Sequence, residues 1–428
     1  MRKLFVAFLT LGLVVALAMP ASALENIFGG YWRTRAMSMT NYTGEDKTEL
    51  GDATLVDTRT RLYYTAKFSD NFKFVNKLEW DVIWGDTIGG DIGADGGGSY
   101  DNLGTNTSII KVKNSYADFV IGPIETKIGL QPTVLARGFM FDDDFAGLIL
   151  SYSKDNITVP FIWMKAYEGY WLSSGPDTND KDVDIYGLAP VVKLDKITVN
   201  PYFVWVTSSD ASVWPSTAGL GVEKLNVYYL GADVDANLGK ANVWFTGIYE
   251  FGSADPIGGG DSTDISSYLV GVGGDAEVGP AGVHGQFFYA SGDDDATDND
   301  YKAFYVPRGQ SYDWAPIMGG NGIFDYNNSA NSPGPTPTDV MAFNIGASMK
   351  PMDKLEVGLD LWYAALAEDN ANGDKDLGTE VDLLVTYNLI ENMKVDVLAG
   401  YLFAGDATYK GDNDADPYLL GAQFSFGF

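Results

Sequence analysis

Pairs of arginines two positions apart are the most distinctive charged pattern in this chain. Arg33 and Arg35 form one pair, Arg59 and Arg61 form another, and Arg137 follows them in the first third of the sequence. In an extended strand, residues two apart point to the same side, so each pair would place two cations on one polar face. If such strands enclose water, these cations line its wall. Further basic residues that extend this wall are Lys67, Lys73, Lys77, Lys111, Lys113 and Lys127.

Residues for covalent catalysis are scarce. The single histidine, His284, lies in "GVHGQFFYA" on a predicted strand, so a Ser-His-Asp hydrolase would depend on it alone. The chain has no cysteine, which excludes a thiol nucleophile, a haem attachment site and a thiolate metal site. The glycine-rich stretch "GGGD" at 258 lacks the strand-to-helix context of a phosphate loop. We predict that the chain is not an enzyme.

The acidic residues are concentrated in loops. The formal net charge is -30, with 58 Asp and Glu against 28 Lys and Arg, which excludes the basic surface that nucleic-acid binding needs. Alternating acids at Asp412, Asp414 and Asp416 suit oxygen ligation of Ca²⁺, although no EF-hand pattern is completed. We predict no cofactor and keep loop-bound Ca²⁺ as a hypothesis. Crowded acids at a channel mouth would attract cations at low salt.

The elements that position these charges are strands. In "VDTRTRLYYTAKF", alternate residues form an apolar face, and the other residues form the polar face that carries Arg59 and Arg61. The turn "SDN" leads to "FKFVNKLEWDVIW", which alternates in the same way and puts Glu79 and Asp81 on its polar face. Similar pairs of segments recur, joined by short turns and separated by long polar loops. The pattern predicts tilted antiparallel strands long enough to cross a bilayer.

The pattern predicts eighteen strands, an even number that places both termini on the short-turn side. The predicted segments begin near residues 27, 55, 72, 107, 123, 144, 156, 183, 196, 224, 240, 265, 281, 339, 354, 377, 392 and 415. Lipid offers no partner for an unpaired backbone edge, so the sheet must close into a barrel. The last strand should therefore pair with the first. The alternative of a soluble β-sandwich or propeller does not require such strict asymmetry between turns and loops.

The chain ends define one domain behind a leader. Arg2 and Lys3 precede an apolar run and an Ala-x-Ala site, which predicts a removed signal peptide over residues 1–23 and not a membrane anchor helix. The alternating pattern then continues without a linker, so residues 24–428 form one predicted barrel domain. The chain stops on "GAQFSFGF", and alternation places Phe424, Phe426 and Phe428 on the lipid-facing side.

The chain resembles Gram-negative outer-membrane porins, whose last residue is commonly a phenylalanine preceded by alternating aromatic residues. Phe424, Phe426 and Phe428 match that signal, which the barrel-assembly machinery recognises in those proteins. The stretch "VKNSYADFVIGPIETKIGLQPTVLARGFMFDDDFAGLILSYS" looks like an uncharacterised porin family of sulfate- and metal-reducing bacteria. A looser resemblance is to the eighteen-stranded alginate-export type. The resemblance implies an outer-membrane location in contact with lipid and lipopolysaccharide, and passive diffusion of small hydrophilic solutes.

The resemblance also implies a constriction. General porins fold their third loop into the lumen, where its acids face a basic wall. By that resemblance, Asp142, Asp143 and Asp144 in "PTVLARGFMFDDDF" would face the wall of Arg33, Arg35, Arg59, Arg61 and Arg137. Such a transverse field aligns polar solutes. In a second interpretation, which stays open, the arginines pair with Asp57, Glu79 and Asp81 and make the wall rigid.

Two further questions stay open at this point. A barrel of this kind could instead be a sheath or scaffold that holds a partner protein such as an electron carrier. Porins of this size occur both as monomers and as homotrimers, and the lipid-facing residues do not decide between them. The solute and the net ion selectivity are not predicted by the sequence.

Overall fold

The computed structural model describes most of the chain. The described residues are 24–41, 53–84, 110–168, 182–209, 222–257, 259–295, 297–307, 309–312, 314–319, 336–408 and 415–428. The predicted signal peptide and two of the three proposed Ca²⁺ ligands, Asp412 and Asp414, lie outside these ranges. No helix within the described residues is both long and apolar enough to cross a membrane.

The described residues form a single antiparallel sheet with almost no helix. The strands are β1 Glu25–Thr40, β2 Ala53–Ser69, β3 Phe72–Ile83, β4 Lys111–Ile121, β5 Ile124–Leu135, β6 Phe141–Lys154, β7 Ile157–Tyr167, β8 Val183–Leu188, β9 Val191–Leu194, β10 Ile197–Ser208, β11 Val222–Asn237, β12 Ala241–Pro256, β13 Thr263–Val278, β14 Ala281–Ala290, β15 Asp300–Tyr301, β16 Val340–Met352, β17 Leu355–Leu366, β18 Asp376–Ile390, β19 Met393–Ala404 and β20 Tyr418–Gly427. The predicted segment starts lie within four residues of the observed ones.

Eighteen of these units make the barrel wall. β8 and β9 are two parts of one strand, because both pair with β7 on one side and with β10 on the other. The strand is interrupted at Pro190, whose nitrogen cannot donate to the ladder. β15 has only two residues and pairs parallel with the loop-side end of β13, while β14 continues directly to β16. The predicted count of eighteen is therefore confirmed.

The barrel closes where its ends meet. β1 pairs antiparallel with β20, from Tyr31 opposite Gly427 to Thr40 opposite Tyr418. At the end of this seam, the Gly30 N–H donates to the Phe428 carbonyl at 2.8 Å, and the Phe428 N–H donates back to Gly30 at 3.1 Å. Every wall strand thus has two neighbours, which removes the free edge that a sheet in lipid cannot tolerate. The predicted pairing of first and last strands is confirmed.

Tight turns lie at the end of the barrel that holds both termini. Gly122 (φ 60°) and Asn392 (φ 61°) adopt the left-handed conformation that short hairpin turns require. The connections at the opposite end are longer in most cases, and the one from β14 to β16 spans residues 291–339. Tight hairpin turns thus join the strands at one end of the barrel. The connections that fold into the interior begin at the other end.

The outer face is apolar, as alternation predicts. Leu62 on β2 is 41% exposed, whereas Asp57 on the opposite face of the same strand is buried. At the seam, the Trp32 ring lies 6.0 Å from Phe424 and 5.3 Å from Phe426, centroid to centroid. An outer strip of aromatic rings, stacked across neighbouring strands, is formed by Tyr186, Trp205, Tyr228 and Phe251.

The interior differs from a simple water-filled tube. The inward faces of β8 and β10–β14 are apolar and buried, with Val206, Val227 and Leu269 fully enclosed. They pack against two connections that fold into the barrel, between β5 and β6 and between β14 and β16. In these strands both faces are apolar, so alternation is lost, as in "YFVWV" at 202 and "VYYL" at 227. The charged inner face lies on strands β1–β4.

Candidate pore and its inward segments

The β5–β6 connection, residues 136–140, reaches across the barrel. Ala136 (φ 51°), Arg137 (φ 56°) and Gly138 (φ 91°) are three consecutive residues with left-handed backbone, an uncommon conformation for the first two. The turn that they form projects Phe139 inwards, where its ring stacks on Tyr312 with centroids 3.6 Å apart. Phe139 also contacts Phe288 on β14, at 5.4 Å. Backbone strain of this kind persists only where the surrounding contacts enforce it.

Arg137 anchors this turn to strands β11 and β12. Its guanidinium forms an ion pair with Asp235 at 2.7 Å and donates from Nε to Thr246 Oγ1 at 3.0 Å. It also lies over the Trp244 ring at 5.1 Å. Asp235 is 54% exposed, so this ion pair borders open space. Arg137 therefore belongs to the far wall of the pore and not to the wall of the other arginines.

The second inward connection is called here the inward segment and comprises the described residues between 303 and 319. Most of its side chains are buried, and Phe304, Ile317 and Met318 are fully enclosed. Its backbone N–H groups at Tyr305, Ile317 and Met318 donate to buried glutamates of the wall. Trp314 packs on Phe288 and Trp362.

The two inward connections are bonded to each other. The Asp142 N–H donates to Gly309 at 2.8 Å, and the Ser311 N–H donates to Gly138 at 3.3 Å. Together with the stacking of Phe139 on Tyr312, these bonds join the two connections into one body inside the barrel. This body packs against the apolar inner face of β8 and β10–β14.

The charged side is built from arginine–carboxylate pairs on adjacent strands. The Arg35 Nε lies 2.7 Å from Asp57 Oδ2, and both side chains are almost fully buried. Arg59 makes two bonds to Asp81, at 2.5 and 2.9 Å, and Arg61 Nε donates to Glu79 at 2.5 Å. Arg33 is buried opposite Arg59. These acids are the partners named by the interpretation in which the arginines make the wall rigid.

The three consecutive aspartates, Asp142 to Asp144, lie on strand β6 and not in a long loop. β6 already begins at Phe141, so Asp142, Asp143 and Asp144 are strand residues, and the preceding connection is only five residues long. The Asp144 carboxylate lies 2.8 Å from Lys113 Nζ on β4, and Asp143 lies 3.6 Å from the same nitrogen. The expected loop position is corrected, because the pairing of β5 with β6 continues up to Leu135 and Phe141.

The predicted wall lysines are distributed over four strands: Lys67 on β2, Lys73 and Lys77 on β3, Lys111 and Lys113 on β4, and Lys127 on β5. Lys67 pairs with Asp70 at 2.8 Å near the short turn, and Lys73 pairs with Asp118 at 3.1 Å. Lys77 lies over the ring of Tyr63, at 5.3 Å. The structure thus places these lysines on the same wall as Glu79 and Asp81 but does not gather them into one cluster.

His284 lies in a small polar cluster away from the arginines. Its Nε2 is 2.7 Å from Asp360 Oδ1, and the Asn344 amide donates to the same oxygen at 3.0 Å. Gly346 stands between the two strands, and a side chain there would collide with both His284 and Asp360. His284 thus pairs with a carboxylate, and the missing side chain at Gly346 leaves the space for this contact.

Of the proposed Ca²⁺ ligands, Asp416 alone lies in the described part of the chain. Its carboxylate accepts hydrogen bonds from the Ala404 N–H at 3.0 Å and from the Tyr401 hydroxyl at 2.9 Å. These bonds tie the residues just before β20 to the end of β19. Within the ranges given above, no group of three or more His, Asp or Glu residues is placed to hold a metal ion.

The sequence reasoning missed the residues that hold the inward segment. Glu250 and Glu380 are fully buried acids on β12 and β18. Each glutamate lies in a largely apolar stretch, "GIYEFG" and "GTEVDLLV", the second of which also contains the buried Asp382, and an acid in such a stretch was the available signal. Buried carboxylates require hydrogen-bond donors, so such residues indicate a second segment packed against the strand.

Comparisons with known proteins support the fold. No protein-family model matches the chain, and no curated protein matches it. Among solved structures, it is similar to Acinetobacter baumannii OccAB4, with a TM-score of 0.58, 12% identity, and coverage of 96% of this chain and 100% of the other. The outer membrane protein OpdK from Pseudomonas aeruginosa aligns with a TM-score of 0.57, 11% identity and coverage of 94% and 99%.

A third structure is a BenF-like porin from Pseudomonas fluorescens Pf-5, with a TM-score of 0.58, 11% identity and coverage of 94% and 98%. The alignments extend over nearly the full length of both partners in each case. At these low identities the similarity supports the fold alone, and it agrees with the closed eighteen-stranded barrel described above. The chain therefore has the fold of outer-membrane porins.

Proposed function

We propose that this chain is an outer-membrane channel through which small hydrophilic or charged solutes diffuse passively. The observation that carries the proposal is a closed barrel with an apolar outer face and a charged inner wall. A closed sheet with this polarity is suited to lipid outside and water inside. The predicted leader and the terminal phenylalanine agree with export to the outer membrane.

The proposed passage runs between the charged wall of β1–β4 and the body formed by the two inward connections. On the charged side, Arg59 and Arg61 act together with their partner acids. Asp143 and Asp144 contribute beside Lys113 on β4. On the other side, the exposed ion pair of Arg137 with Asp235 borders the same space. Opposed fixed charges of this kind favour polar solutes over apolar ones.

The sheath or scaffold alternative is less well supported. A barrel that encloses a partner protein needs an unobstructed lumen, whereas here buried aromatic side chains such as Phe139 and Trp314 occupy part of it. The enzyme alternative has no support from the contacts of His284, which pairs with Asp360. Lipopolysaccharide contact, recognition by the barrel-assembly machinery, the choice between monomer and homotrimer, and loop-bound Ca²⁺ remain parts of the hypothesis that need their own tests.

Single-channel recording of the purified, reconstituted protein in planar bilayers tests the proposal. We expect discrete conductance steps, and a block of the current by polar solutes that enter the passage. An empty-vesicle preparation carried through the same purification is the control. A correctly folded barrel that never conducts in repeated reconstitutions contradicts the proposed function and revives the scaffold alternative.

A further inference from the structure

We propose that two buried glutamates, Glu250 on β12 and Glu380 on β18, are positioning residues that hold the inward segment and thereby set the width of the passage. This inference rests on the proposed channel function. Both side chains are fully buried, and both point their carboxylates at backbone N–H groups of the inward segment. They act on solutes only through the segment that they hold.

Glu380 binds two consecutive backbone groups with its two oxygens. Oε1 accepts from the Ile317 N–H at 2.7 Å, and Oε2 accepts from the Met318 N–H at 2.8 Å. Hydrogen bonds to a carboxylate are stronger than those between neutral groups. The side chains of Ile317 and Met318 are fully enclosed, so water cannot replace these bonds while the segment stays in place. Glu380 thus fixes one end of the segment to β18.

Glu250 fixes the other end by a different arrangement. Its Oε2 accepts from the Tyr305 N–H at 2.9 Å and also from the Ser267 hydroxyl on β13. The carbonyl of Tyr305 accepts from the Tyr229 hydroxyl on β11 at 2.9 Å. The backbone at Tyr305 is therefore held on both sides by neighbouring wall strands. One carboxylate oxygen makes both bonds of Glu250, whereas both oxygens are used at Glu380.

The two anchors lie on different sides of the inward segment, with β13, β14, β16 and β17 between their strands. Between the anchors, Trp314 packs on Phe288 and Trp362 of the intervening wall. Apolar packing is non-directional and can accept small shifts of the segment. The two carboxylates supply the directional bonds that specify one position, since a displaced segment would leave buried N–H groups and a buried charge without partners.

Glu380 accepts hydrogen bonds with both carboxylate oxygens and Glu250 with one, so the same substitution to glutamine should affect the two sites differently. Glu380→Gln keeps one acceptor but turns an NH₂ group towards the second N–H, so one bond is lost. Glu250→Gln can keep both bonds, because its amide oxygen can take the place of Oε2. Glu356→Gln is the control, since Glu356 lies near the short-turn end of β17, has a side chain that is 44% exposed and pairs with Lys350 at 3.6 Å, away from the inward segment.

A cysteine reporter measures the position of the segment without reference to conduction. The chain has no cysteine, and Ala315 is a small, fully buried residue of the inward segment. In an Ala315→Cys background, we expect maleimide labelling to be slow, and Glu380→Gln to accelerate it roughly ten-fold or more, as for the loss of a charge-assisted bond that restrains opening. Glu250→Gln and Glu356→Gln should leave the rate close to that of the background.

Single-channel conductance is the second readout. Glu380→Gln should raise the conductance and the current noise, and Glu356→Gln should change neither. Unchanged labelling and unchanged conductance in folded Glu380→Gln protein would overturn the inference. If no variant conducts, the proposed function fails, but the labelling rates still decide whether Glu380 holds the segment. If Glu380→Gln does not assemble, Glu380→Asp, whose shorter side chain cannot reach both N–H groups, gives the same comparison with the same two outcomes.

Discussion

At the scale of single residues, the charged wall consists of cations that already have partners. Arg35 with Asp57, Arg59 with Asp81 and Arg61 with Glu79 are neighbours on adjacent strands. Paired charges are less available to bind a solute than isolated ones, but they still create a local field. The buried pair and the partly exposed pairs should therefore respond differently to substitution, the first in stability and the others in selectivity.

Removing Arg35 should destabilise the barrel. The side chains of Arg35 and Asp57 are 0% and 3% exposed, and truncation of Arg35 leaves a buried carboxylate without its cation. We expect Arg35→Ala to lower the free energy of unfolding by about 3 kcal/mol, as is typical for a broken buried pair. Denaturant unfolding followed by tryptophan fluorescence measures this loss. The double variant Arg35→Ala, Asp57→Asn should recover part of it, and equal losses in both variants would contradict the argument.

Removing Arg59 and Arg61 together should shift ion selectivity towards cations. The change deletes two positive charges and leaves Glu79 and Asp81 without their arginine partners beside the passage. Reversal potentials in a salt gradient report the shift, which should weaken as the salt concentration rises. The control adds Glu79→Gln and Asp81→Asn and restores the charge balance. Selectivity that is unchanged in the double arginine variant would argue against a role for these residues in the passage.

At the scale of the elements, the interior is shaped by two connections and not by the strands alone. The turn at residues 136–140 combines left-handed backbone with an anchor on β11 and β12 through Arg137. Gly138 lies against the inward segment, since its carbonyl accepts from Ser311 and a β-carbon there would lie 2.5 Å from the Ser311 carbonyl oxygen. The contact between the two connections is thus made at a position where only glycine fits.

Gly138→Ala should separate the two inward connections. A β-carbon at this position would lie 2.5 Å from the Ser311 carbonyl oxygen, and the backbone φ of 91° also disfavours alanine. We expect a change in single-channel conductance and increased current noise. Gly122→Ala is a matched control, because Gly122 also has positive φ (60°) but meets nothing within 4 Å. Both variants carry a conformational cost of about 1 kcal/mol, so an altered conductance shared by both would exclude the contact as its cause.

At the scale of the whole molecule, the seam between β1 and β20 turns a sheet into a barrel. The last residue takes part in the seam through two backbone bonds with Gly30. Its ring lies directly over Gly30, where a side chain would collide with it. The chain end is therefore held in the structure and not frayed, which explains why an aromatic side chain is placed there.

Loss of the terminal ring should impair assembly. We expect Phe428→Ser to reduce the amount of folded barrel in the outer membrane several-fold, because the Phe428 ring packs over Gly30 at the seam and the resemblance to porins implies that it belongs to an assembly signal. Heat-modifiable electrophoretic mobility of membrane fractions measures the folded share. Phe68→Ser is the control, since Phe68 is also an exposed phenylalanine near the short-turn end but lies on β2, away from the seam. Equal loss in both variants would point to lipid contact alone.

Much of the architecture could be predicted from local patterns. Period-two alternation, short turns and long loops predicted eighteen strands, their approximate starts and the closure of β1 on β20, and the structure confirms these points. The same patterns identified the polar faces that carry Arg59, Arg61, Glu79 and Asp81. These features depend on neighbours along one strand or on the general rule that lipid allows no free edge.

The sequence by itself thus determined a barrel with a charged inner wall, because apolar and polar residues alternate along the strands that carry the charges, and successive side chains of a strand point to opposite faces. The tertiary structure alone decided which acid pairs with which arginine, that Arg137 reaches Asp235 on the far wall, and that Glu250 and Glu380 hold the inward segment. These contacts join residues of different elements that lie far apart in the sequence. Alternation separates inside from outside, but it carries no information on what fills the inside.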